Sequence, residues 1–203
     1  MPLHKKAVSE KLFRLINELM KAEPLQGFYL VGGTALALYY GHRESVDIDL
    51  FTHTPFDAER LRAYMENAHS LQQTTNKENT VLGQINGIKT DFIAHRYPLI
   101  GEVNTIDGIR LLSVKDIAAM KLNAIANRGS KKDFWDYAEL LKHFDREELL
   151  GFFTRKYPSS NRWSVEKSLC YFDDAENEPD PIDLAGQTWD QVKATILADN
   201  RLG

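Results

Sequence analysis

Asp47 and Asp49 flank one residue, Ile48, inside the run Val46 to Phe51, which reads as a strand. Side chains alternate along a strand, so both carboxylates fall on one face, roughly 6.5 to 7 Å apart along the backbone. Two acids on one face repel each other. A divalent cation relieves both, and hard oxygen ligands select Mg²⁺ or Mn²⁺. The competing reading is a solvated strand edge with two surface acids. A third acid, Asp91, sits in Ile88 to Ala94 and shares its face with Lys89, Ile93 and His95. A carboxylate inside a strand is unfavourable without a partner, so a neighbouring Asp47 strand would bring three acids together.

Gly32-Gly33-Thr34 follows the apolar run Phe28 to Val31 and opens a helix. Glycines let backbone approach an anion, the helix N-terminus favours negative charge, and Thr34 supplies a hydroxyl. The turn is neither a Walker A loop nor a dinucleotide fingerprint. Between turn and acids, Arg43 can hold phosphate, anchor the aspartates, or pair with Asp47 or Glu44, and His42 reads as a surface residue. Further on, Lys121 lies three or four residues from Ile117, Ala118, Ala124 and Ile125, in the middle of a helix's apolar stripe. An ammonium there needs an anionic partner, the aspartates or a phosphate, unless its head snorkels to water. Asp133 and Asp136 share a helix face near its start.

The elements that must position these groups follow from periodicity. Lys5 to Lys21 is an amphipathic helix ended by Pro24. Phe28 to Val31 is a strand, Thr34 to Tyr40 a helix closed by Gly41, and Asp57 to Ala68 a helix. Leu71 to Ala94 reads as strands with a hairpin turn at Asn86-Gly87, and Ile109 to Leu112 is a last short strand. Helices follow: Val114 to Ala126 behind a Ser113 cap, Lys132 to His143, Arg146 to Lys156, a stretch after Asn161, and Gln187 to Asp199. The fold class is α/β (α+β), with residues 1–112 as an α/β core and 113–203 as a helical region completing the cleft.

The 203 residues carry a net charge of −4, which excludes a generally basic nucleic-acid surface. The charge is uneven, however. Arg110, Lys115, Lys121, Arg128, Lys131 and Lys132 face Asp116 alone, and Asp173 to Asp183 is purely acidic, so a basic flank could receive a polyanion. One cysteine, Cys170, excludes a disulfide framework and a cysteine-rich zinc site, and its apolar neighbours predict a buried thiol. No stretch is long and apolar enough for a membrane span or a signal segment, which predicts a cytoplasmic protein.

Gly32-Gly33-Thr34-Ala35-Leu36, Arg43-x-Ser45-x-Asp47-Ile48-Asp49-Leu50, Asp91-Phe92, Lys121 and Lys132-Asp133-x-x-Asp136 together resemble the AbiEii/AbiGii-type nucleotidyltransferase toxin family, DNA-polymerase-β-like minimal nucleotidyltransferases that include the MenT toxins. The resemblance runs from about Phe28 to Phe144. It implies a mixed sheet flanked by helices. It implies that Gly32, Gly33, Thr34, Arg43, Ser45 and Lys121 bind the NTP, and that Asp47, Asp49 and Asp91 hold Mg²⁺ (or Mn²⁺). Asp133, with Asp136 as the alternative, would be the distal catalytic acid. The implied reaction moves an NMP from NTP to an acceptor hydroxyl on RNA, tRNA included, and the implied partner is a cognate antitoxin protein. Two alternatives are a catalytically silent nucleotide- or partner-binding relative and a small-molecule nucleotidyltransferase of the aminoglycoside type. An RNA acceptor predicts strongly salt-dependent binding.

Overall fold

A computed structural model describes residues 2–200. The end positions of the expected 1–112 and 113–203 halves, 1 and 201–203, lie outside the described residues. The first helix, α1 (Glu10–Leu19), starts where Ser9 accepts a hydrogen bond from the Leu12 amide, and it buries Leu12, Leu15, Ile16 and Leu19. The two-residue strand β1 (Tyr29–Leu30) leads straight into α2 (Gly32–Tyr40). Helix α2 is buried nearly all round and ends at Gly41, whose φ of 66° is the left-handed cap that glycine adopts without strain.

Strand β2 (Ile48–Thr52) comes next, then α3 (Ala58–His69), capped by Asp57. The meander β3 (Leu71–Lys77), β4 (Thr80–Ile85) and β5 (Ile88–Ala94) follows. The β4–β5 turn is Asn86-Gly87 with φ of 54° and 77°, the paired positive values of a tight hairpin. Strands β6 (Asn104–Ile106) and β7 (Ile109–Leu111) form a second hairpin around Asp107-Gly108. The sheet is mixed and seven-stranded, in the order β3-β4-β5-β2-β1-β7-β6. Strands β2 and β5 are parallel neighbours, and β1 joins them antiparallel to β2 and parallel to β7.

The rest of the described chain is helical: α4 (Val114–Asn127), α5 (Lys131–Leu140), α6 (Arg146–Lys156), α7 (Arg162–Ser168), α8 (Asp173–Glu176) and α9 (Trp189–Asn200). Helix α4 packs on α2, α5, α6 and α7. One hydrophobic cluster runs from Leu36 and Ile48 through Ile117 and Phe134 to Leu150 and Ile196, crossing residue 112 without a break.

Three expectations change. The strand begins at Ile48, so Asp47 precedes it rather than sharing its pleat. Cys170 is exposed, because α7 ends at Ser168 and its neighbour Leu169 takes the buried position. Two side chains of the expected basic flank are engaged within the fold. The Arg110 guanidinium donates to the carbonyls of Met20, Leu25 and Phe28, and Lys131 binds Asp180 of the acidic stretch at 3.0 Å.

Candidate active site

Parallel pairing of β2 and β5 puts Asp49 directly opposite Asp91. Burial and the Asp91 charge push the Asp49 carboxyl above its ordinary range. The exposed Lys89 ammonium reaches Asp91 Oδ2 at 2.9 Å, while Asp91 Oδ1 is buried without a hydrogen-bond partner. The strand pair therefore carries more negative charge than its surroundings satisfy.

The glycine turn closes on these acids. Gly32 has a φ of 69°, and a Cβ there would stand 2.7 Å from Asp49 Oδ2. A Cβ on Gly33 would collide with Arg43 Nη2. Only glycine lets the backbone pass so close to both charges. Thr34 is fully buried. Its hydroxyl donates to the Asp47 carbonyl and lies 2.8 Å from Ser45 Oγ, which fastens the start of α2 to the loop that precedes β2. Gly32, Gly33, Thr34, Arg43, Ser45, Val46, Asp47, Asp49, Lys89, Lys121, Arg128 and Lys132 line one cleft.

The floor of this cleft is a buried charge network. Arg43 grips Asp136 with Nε and Nη2 at 2.7 and 2.8 Å, and Lys121 Nζ reaches Asp136 Oδ2 at 2.6 Å and Asp133 Oδ1 at 3.1 Å. Arg128 and Ser130 complete the shell of Asp133. Both carboxylates are inaccessible to solvent. Burial alone would raise their pKa values. The opposing cations win: Lys121 and Arg128 hold Asp133 down to about 2, and Arg43 and Lys121 hold Asp136 well below the carboxylate range.

Each residue of the sequence reading can now be placed. Gly32, Gly33, Thr34, Ser45, Asp47, Asp49 and Lys121 meet in the cleft, and Asp91 stands one strand behind it. Arg43 also lines the cleft, but its guanidinium is taken by Asp136 and not by the side chains of Asp47 or Glu44. Asp133 and Asp136 lie beneath the lining. His42 is 2% exposed and not a surface residue: its Nε2 sits 2.7 Å from Asp136 Oδ1. The roles of Arg128, Ser130 and His42 were not read from sequence. Ser130, three residues before Asp133, was the readable sign, a cap-like spacing. Nothing local announces the long-range partners of His42.

Oxygen donors of this kind suit a magnesium ion, and the unpartnered Asp91 Oδ1 beside a repelled Asp49 is the arrangement that a cation relieves. Among the described residues no three His, Cys, Asp or Glu side chains stand close enough to hold a metal ion. Asp49 and Asp91 would thus supply two ligands, leaving other positions to phosphate oxygens and water, as magnesium commonly accepts. No helix of the described residues is long and apolar enough to cross a membrane.

A family model described as nucleotidyl transferase AbiEii toxin, type IV toxin–antitoxin system, matches residues 14–107 and 95–202. An uncharacterised protein of Aquifex aeolicus (strain VF5) is 42% identical over 157 residues, covering 74% of this chain and 76% of its own length. Among solved structures, the nucleotidyltransferase toxin MenT4 of Mycobacterium tuberculosis superposes with a TM-score of 0.60 at 14% identity, over 92% of this chain and 82% of its own. A Helicobacter pylori protein provisionally assigned as a nucleotidyltransferase gives 0.57 at 22% identity, over 95% and 92%. These structural likenesses are similarities of fold.

Proposed function

From the premise that the chain belongs to the AbiEii nucleotidyltransferase toxin family, we propose that it transfers an NMP from an NTP to a hydroxyl of an RNA acceptor, tRNA among the candidates, with Mg²⁺ held by Asp49 and Asp91. The observation that carries this reading is the in-register Asp49–Asp91 pair facing a turn that only glycine can make. Mg²⁺, or Mn²⁺ in its place, would neutralise charge on the reacting phosphates.

The chain's own groups divide the remaining work. Amides at the start of α2, with the hydroxyls of Thr34 and Ser45, cradle the triphosphate. Asp47 stands at the cleft mouth as a further oxygen donor, and Lys132, 3.9 Å from it, supplies positive charge. The acceptor oxygen bonds to the α-phosphorus, the bond to the β-phosphate oxygen breaks, and pyrophosphate leaves. Asp91 takes the hydroxyl proton once substrate displaces the exposed Lys89 ammonium. Asp133 suits that proton transfer poorly, because a carboxylate held near pKa 2 is a weak base. Its part, with Asp136, is to aim Lys121 and Arg128 at the phosphates. Residues 1–112 thus supply Asp47, Asp49, Asp91 and the turn, and 113–203 supply Lys121, Arg128 and Lys132, which complete the cleft. A cognate antitoxin protein and a cytoplasmic setting go with this reading.

The test is transfer of labelled NMP from each NTP to total tRNA with Mg²⁺. Transfer by the parent and its loss in Asp91→Asn supports the proposal. No transfer by the parent, or equal transfer by the variant, overturns it. A small-molecule acceptor is the second reading, favoured by the internal engagement of Arg110 and Lys131, which takes two of the six cations out of the expected basic flank. Acceptor binding that hardly weakens between low and moderate salt would select it over RNA.

A further inference from the structure

The acidic stretch near residue 180 matches no catalytic motif, yet it touches the loop that carries Arg43, Ser45 and Asp47. The Glu44 amide donates to the Ile182 carbonyl at 2.8 Å, and the Leu184 amide donates to the His42 carbonyl at 2.9 Å. Arg43 and Asp183 form the antiparallel bridge between these two bonds. The stretch is in turn clasped to α5. The Lys131 amide donates to Glu178 at 2.8 Å, Lys131 Nζ donates to Asp180 at 3.0 Å, and the Trp135 indole donates to Asp183 at 2.9 Å. Outside this stretch, the Ser45 amide is tied to the Ala7 carbonyl at 2.9 Å.

We infer that residues 178–184 are a positioning strap. By pairing with the backbone of 42–44 and anchoring on α5, the strap holds the phosphate-facing loop in the shape that binds an NTP. The inference rests on the nucleotidyltransferase reading and adds that NTP affinity depends on backbone bonds outside the cleft. The reasoning is local. A loop without a ladder of its own is held only by what pairs with it. Here the partner arrives from more than 130 residues away and brings no side chain into the cleft. His42 and Arg43 sit on both sides of the bargain, their backbones in the bridge and their side chains on Asp136. Loosening the bridge therefore also loosens the grip of Arg43 beside Gly33.

The experiment uses the full-length chain. Leu184→Pro deletes the amide that binds the His42 carbonyl, while Leu184→Ala trims a half-exposed side chain and keeps the amide. Trp135→Phe removes the indole donor and is the milder variant should Leu184→Pro not fold. Binding of each Mg·NTP is measured by calorimetry, transfer by NTP KM and kcat, and loop order by hydrogen exchange at the Glu44 amide. The expected result for Leu184→Pro is an NTP Kd and KM raised by about 3- to 10-fold, the worth of one or two hydrogen bonds, with a smaller change in kcat. Glu44 protection falls, core strands keep theirs, and Leu184→Ala matches the parent. Trp135→Phe shifts the same quantities by about 2- to 3-fold, consistent with one weak bond. Unchanged Glu44 exchange or unchanged NTP affinity in the folded variants overturns the strap, as does a Leu184→Ala as impaired as Leu184→Pro. If the parent transfers no NMP, the function fails, while calorimetry and exchange still judge the strap.

Discussion

In the sheet, Asp49 and Asp91 face each other with one lysine between them and an oxygen left without a donor. In the helices, Asp133 and Asp136 are more deeply buried, yet every carboxylate oxygen has a cation or hydroxyl on it. The same residue type is driven in opposite directions, Asp49 upward and Asp133 downward. The difference teaches how to tell a site from a scaffold. Desolvation acts on all of them, so burial does not distinguish the two pairs. What distinguishes them is whether the protein itself supplies the counter-charge. On the function proposed here, acids left short of donors wait for a ligand, whereas acids already matched serve the framework.

Breaking the helical pair has the largest expected effect. Asp136→Ala leaves the buried Arg43 guanidinium without its carboxylate and Lys121 with Asp133 alone, and urea unfolding is expected to show a loss of about 3–5 kcal/mol. A loss below about 1 kcal/mol would mean that the network is not a scaffold. Next comes the strand pair. Asp49→Asn is expected to lower transfer by at least about 10²-fold while leaving the melting temperature level or higher, since it removes a repulsion. Mg²⁺ should raise the melting temperature of the parent but not of this variant. A destabilised Asp49→Asn would put Asp49 with the scaffold.

Acid titration sharpens the contrast with a smaller effect. Asp133 has a folded value of about 2 against an ordinary 3.8, so its stabilisation is full above about pH 4 and disappears as pH falls toward 2. Asp133→Asn should therefore flatten the stability profile in that window, by roughly 2 kcal/mol. Asp49 has the opposite sign. Its folded value is raised, so its contribution declines as pH rises from 3.8 through that value, and a bound cation should offset the decline. The smallest effect belongs to Lys132, about half exposed and 3.9 Å from Asp47. Lys132→Ala should cost under about 1 kcal/mol in stability and raise NTP KM by about 2- to 5-fold, fading as salt is added.

Much of this was legible in the chain. Gly32-Gly33, Asp49, Asp91 and Lys121 could be found because each stands out locally: paired glycines between a strand and a helix, charge in a strand, charge in an apolar stripe. The hairpin at Asn86-Gly87 and the cap at Ser113 are equally local, and the structure keeps them. What stayed hidden was the choice of partner. Arg43 had acids one and four residues away and binds Asp136 instead, because α5 crosses beneath α2 and offers a bidentate grip. His42 followed a helix cap and read as surface, although α5 covers it. Strand β6 and helix α8 were missed as well: β6 is mostly exposed and lacks the apolar run that marked β1 and β7, and α8 is four residues long, too short to show a period.

The pairing of β2 with β5 also bears on how such chains can change length over evolutionary time. Asp49 and Asp91 are brought level by register, although α3 and the β3–β4 hairpin lie between them in sequence. One residue inserted between Ile88 and Asp91 would turn Asp91 to the opposite face of the sheet. Residues added at Asn86-Gly87, where a Cβ on Gly87 meets nothing within 4 Å, would leave the register untouched. Descendants of this fold are thus free to drift in size at the tips of the meander, while a few residues further along the same strand their length is fixed to the last amino acid.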